Sequence, residues 1–91
     1  MTNNDFFLNL LHLTGVSRDK DLLIELFKLG GIEATQSKIK GWRTRMDNPR
    51  ASLMPDYILA GFIQGLFQYR DQKLTQHIKV FNFLSDAQER I

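Results

Sequence analysis

Stretches of apolar residues at helical spacing run through the chain, and the polar residues between them supply starts and stops. From Asn4 to Leu13 the apolar positions Phe6, Phe7, Leu10, Leu11 and Leu13 recur three and four apart. That spacing predicts one face of a helix, capped by Asn3 or Asn4, complemented by Asp5 at its positive end and terminated by Gly15. Ser17 can cap a second helix over residues 18–29, with Asp19 and Asp21 in its first turn and a stripe of Leu22, Leu23, Leu26, Phe27 and Leu29. Gly30-Gly31 stops it, because glycine enters the left-handed conformation without a Cβ penalty. Thr35 caps a third helix over residues 36–46, where Ile39, Trp42 and Met46 fall within about 60° of arc and form the buried face. Asp47-Asn48-Pro49 then reads as a turn.

Pro55 suits the first turn of a fourth helix, in which Ile58, Leu59, Phe62, Ile63, Leu66 and Tyr69 continue to about Arg70. Gly61 and Gly65, one turn apart, predict close packing of another helix on that face. Leu74, Ile78, Phe81 and Leu84 fit a fifth helix, since the sequence offers no second strand with which this stretch could pair. The predicted fold is all-α: a compact bundle of four helices plus a C-terminal fifth, built around the fourth, with Leu22, Leu26, Trp42, Phe62 and Leu66 buried together. Residues 1–70 form the helical domain, and residues 71–91 form an extension that packs on it or on a partner.

Composition narrows the setting more than the function. The 91 residues are 43% hydrophobic and 24% charged, within the range of soluble globular domains. There is no cysteine, so disulfides, thiolate metal sites and thiol nucleophiles are excluded together, and a cytoplasmic location is expected. Neither a signal-peptide pattern nor a run of about 20 apolar residues is present, which predicts a soluble chain without a membrane partner. The net charge of +2 hides an uneven distribution. Lys38, Lys40, Arg43, Arg45 and Arg50 face only Asp47 within residues 35–50, while acids match or exceed bases on either side.

Asn4-Asp5 opening an apolar helix, Asp21-Leu22 in the second, Leu29-Gly30-Gly31-Ile32-Glu33-Ala34-Thr35, Trp42 before a charged turn, and Gly65-Leu66 late in the fourth occur here in that order. Together they resemble the YehS-like bacterial family, catalogued as domain of unknown function 1456, over residues 3 to about 70. The resemblance implies a helical domain of bacterial origin and brings no activity, cofactor or catalytic residue with it. Members of that family typically carry two tandem copies, whereas this chain carries one copy followed by a different C-terminal segment. A surface that a second copy would cover is then available to another molecule, which leads to an expected homodimer through Ile78, Phe81, Phe83 and Leu84.

Chemistry is sparse. His12 and His77 have Val16 and Phe81 at the i+4 positions where a helical metal motif would place a ligand. Asp19 and Asp21, two apart on a helix, do not face one another. The serines sit in no nucleophile elbow, and Gly30-Gly31 lacks the lysine-serine pair of a phosphate loop. The reading is therefore a non-catalytic module with no cofactor, no metal and no small-molecule substrate, whose partner is itself or another protein. The alternative is nucleic-acid binding through a helix-turn-helix-like unit over residues 22–46, with Gln36, Lys38, Lys40, Arg43, Arg45 and Arg50 as candidate contacts on a basic third helix.

Overall fold

The computed structural model describes residues 1–75, which form four α-helices and, among the described residues, no strand. Helix α1 spans Asn3–Thr14, and its N-cap is Thr2 rather than either asparagine. The Thr2 hydroxyl accepts from the Asp5 N–H at 3.2 Å, and the Asp5 carboxylate accepts from the Thr2 N–H at 3.1 Å, a reciprocal capping box. Both asparagines are committed elsewhere. Asn4, fully buried, donates to the Ser52 carbonyl at 2.7 Å and accepts from the Met54 N–H at 2.7 Å, while Asn3 donates to the Met54 carbonyl at 2.9 Å. The buried line of α1 is therefore Asn4, Phe7 and Leu11, not the five-residue apolar stripe expected, and Phe6 and Leu13 stay 43% and 60% exposed.

Helix α2, Lys20–Leu29, starts two residues later than expected because Asp19, not Ser17, caps it, its carboxylate accepting from the Leu22 N–H at 3.0 Å. At its end the two glycines do different work. Gly31 takes the left-handed conformation (φ 83°), allowing the Ile32 N–H to reach the Phe27 carbonyl at 2.8 Å and its own N–H to reach Lys28 at 3.0 Å. Gly30 and Gly61 instead pack backbone to backbone, and a Cβ on Gly65 would overlap the Leu26 carbonyl. The close approach expected at Gly61 and Gly65 is thus made within the chain, where α2 crosses helix α4, Asp56–Thr75.

Helix α3, Gln36–Trp42, is capped by the Thr35 hydroxyl as expected but stops four residues short of residue 46. The Gly41 carbonyl accepts from the Thr44 N–H at 3.4 Å in a last tight turn and from the Ser52 N–H at 3.0 Å, and the Thr44 hydroxyl turns back to the Lys40 carbonyl at 2.6 Å. Helical phase is lost there, so Met46 leaves the buried arc and is 41% exposed.

Each helix places one aromatic ring in the centre: Phe7, Phe27, Trp42 and Phe62. Phe62 meets Phe7 edge-on at 4.9 Å and Phe27 tilted at 4.9 Å, and Phe27 meets Trp42 at 5.5 Å. Such contacts add about 0.5–1.5 kcal/mol per pair beyond the area they bury. Around them lie Leu23, Leu26, Ile39, Met54, Ile58 and Leu66. Of the expected core only Leu22 is displaced: it is partly buried, and its neighbour Leu23 points inward. Arg70 is buried one turn beyond Leu66, bonded through Nε and Nη2 to Asp71. The expected fifth helix falls on residues outside those described, and α4 extends to Thr75, so Leu74 belongs to α4. No helix of the described residues is long and apolar enough to cross a membrane.

Candidate nucleic-acid interface

The seven-residue α3 is seated by Ile39 and Trp42, and that seating fixes where its polar residues go. Gln36, Lys40 and Arg43 follow at spacings of four and three, so they share one edge of the helix line. That edge borders an open cleft of about 560 Å³ between α3 and the start of α2. Leu23 and Ile39 contribute its apolar lining, and Ser37 and Lys20 complete the polar side. Lys20 and Lys40 are exposed and Arg43 is half-buried, an aliphatic stem against the wall with a charged head. Among the described residues the one ion pair is Arg70–Asp71, so Lys20, Lys40 and Arg43 make no direct ion pair there, although Asp19 and Asp21 flank Lys20 in sequence.

Lys20 was not among the sequence-derived candidates. It precedes the buried Leu23 by three residues, one helical turn, and that spacing is the local signal for its position beside the cleft. The other candidates separate. Lys38 leaves α3 by the opposite edge and lines a second cleft, of about 410 Å³, with Trp42, Leu53 and Tyr57. Arg45 lies close enough to Asp5 to influence its ionisation. The Thr2 N–H first, and then the Thr2 side chain, hold the Asp5 carboxyl below the usual carboxylate range, with smaller help from the N-terminal charge and Arg45. Arg50 sits in the connection to α4, its N–H donating to the Asn48 side chain at 2.9 Å. The basic segment thus reaches four places, and the structure brings two of its cations, Lys40 and Arg43, together with Lys20 and Gln36.

His12 is exposed in the last turn of α1, and among the described residues no group of three His, Asp or Glu side chains is placed to hold a metal ion. His77 and the self-association candidates Ile78, Phe81, Phe83 and Leu84 lie outside the described residues. No curated protein and no solved structure matches the chain. Residues 3–71 match the family model described as a protein of unknown function (DUF1456), and the chain belongs to that family.

Proposed function

We propose that this member of the DUF1456 family is a non-catalytic binding module whose ligand is nucleic acid, held in the cleft between α2 and α3. The observation that carries the reading is the convergence of Lys20, Lys40 and Arg43 from two helices on one open cleft, none of them in an ion pair among the described residues. Phosphodiesters are the ligand class that rewards such an arrangement, because each contact releases condensed counterions. Gln36 and Ser37 line the same cleft in the first turn of α3, and in this reading α2 and α3 act as a helix-turn-helix-like unit whose second helix offers them to base edges. The residues 30–35 that join the helices make a longer connection than a tight DNA-binding turn, so the unit is only like a helix-turn-helix.

The test is fluorescence anisotropy with short duplex and single-stranded oligonucleotides between about 50 and 200 mM salt. Three phosphate contacts give a log-log salt slope of about −2.7 on duplex DNA, and each of Lys20→Ala, Lys40→Ala and Arg43→Ala should lower its magnitude by about 0.9. Lys38→Ala, on the other edge of α3, should leave the slope unchanged. No binding at the lowest salt, or binding indifferent to the three cleft substitutions, would overturn the proposal.

A further inference from the structure

The second cleft, on the far edge of α3, has a different character. Trp42 and Ile58 present buried apolar surface to it, and Leu53, Pro55 and Tyr57 stand beside it. Leu53 is 61% exposed and Tyr57 68% exposed. These are not the side chains of a loose loop. The Ser52 N–H is bound to the Gly41 carbonyl and the Met54 N–H to Asn4, so the backbone on both sides of Leu53 is pinned. With Met54 buried, Leu53 is directed outward beside a cleft that it does not fill. An apolar side chain on a pinned backbone, a knob next to an open hollow, has already lost the backbone entropy that ordering on binding would cost.

The charges at this cleft favour a second copy of the chain. Glu33 and Lys38 both line it, and among the described residues neither makes an ion pair. A strongly acidic or basic partner would meet one attractive and one repulsive charge there. A second copy avoids the repulsion when a two-fold axis sets Glu33 of each copy opposite Lys38 of the other. The same operator sets the knob of each copy against the hollow of its mate.

We propose that the chain forms a two-fold homodimer through this second cleft, with Leu53 and Tyr57 as apolar anchors and Glu33 and Lys38 as reciprocal ion pairs. The surface lies on the opposite edge of α3 from the basic cleft and does not depend on nucleic-acid binding.

Sedimentation equilibrium of the full chain at micromolar concentration, without nucleic acid, should give about twice the 10.6 kDa chain mass. Leu53→Asp and Tyr57→Glu, at exposed positions, should return it to the monomer mass with helical content retained and a thermal midpoint that no longer rises with protein concentration. Lys38→Glu and Glu33→Lys should each weaken association about tenfold by setting like charges opposite, and the double exchange should restore it. That rescue is peculiar to a reciprocal arrangement and separates it from a general loss of fold. A monomer at all concentrations would overturn the proposal. So would a dimer that survives Leu53→Asp and Tyr57→Glu but is broken by Phe81→Glu, which would transfer the interface to the C-terminal segment.

Discussion

Where α2 crosses α4, contact is made by taking side chains away: Gly30, Gly61 and Gly65 bring backbone against backbone, with Phe27 and Phe62 filling the space beside them. Where α1, the end of α3 and the connection to α4 meet, contact is made by adding polar groups. Asn4, Asn3 and the Gly41 carbonyl hold residues 52–54 by hydrogen bonds between parts of the chain distant in sequence. The first junction depends on shape and is sensitive to volume. The second depends on satisfied donors and acceptors and is sensitive to single atoms.

The largest effect is expected at the ring cluster beside the crossing, where Phe62→Ala should cost about 3–5 kcal/mol in urea unfolding. An unchanged midpoint would remove Phe62 from the centre of the core. Next comes Gly65→Ala, a substitution that ordinarily favours a helix but here would drive a methyl group into the Leu26 carbonyl. The helices would have to part, at about 1–3 kcal/mol or more. If Gly65→Ala were instead stabilising, the crossing would be looser than described.

At the polar junction Asn4→Ala removes both hydrogen bonds and leaves the buried Met54 N–H without an acceptor, which should cost about 1–3 kcal/mol. Its signature is local: the Met54 amide should lose hydrogen-exchange protection while the Leu26 amide keeps its own. Equal loss at both would mean that the junction is not separable from the core.

The smallest effect is electrostatic. The carboxyl of Asp5 is held below its ordinary value in the folded chain, so its contribution is present above the unfolded pKa of about 3.9 and is lost as pH falls through the lower folded value. The difference in thermal midpoint between the protein and Asp5→Ala should therefore be constant near neutrality and narrow below about pH 4. A difference unchanged down to the acid limit of folding would show that the Asp5 charge contributes nothing to the cap.

These two junctions were not equally legible in the sequence. The helices, the Thr35 cap and the glycine pair in α4 follow from residues three or four apart, and the all-α fold could be read from them. The polar junction could not. Asn3 and Asn4 look like caps because capping is the commonest use of asparagine before an apolar run, and their true partners lie about 50 residues away. The early end of α3 has the same origin, since its Gly41 carbonyl is claimed by Ser52. Unbroken helical phase would put Met46 on the buried arc, and the loss of phase leaves it exposed. The candidate basic surface suffered in parallel: its residues were collected by proximity in sequence, whereas the short helix sends Lys38 to one side and Lys40 and Arg43 to the other. Lys20 joins them from α2 through tertiary packing alone, with only its spacing from Leu23 as a local hint.

The ring cluster has a kinetic consequence. Because every helix supplies one of the four rings, none can detach without breaking an aromatic contact, so opening events that expose one helix are coupled to those that expose the rest. Trp42 is the sole tryptophan, and its ring lies against Phe27 at one end of that chain of contacts. A single fluorescence trace from Trp42 should therefore follow the cooperative loss of the entire bundle, with stopped-flow amplitudes that leave no residual phase for an independently melting helix.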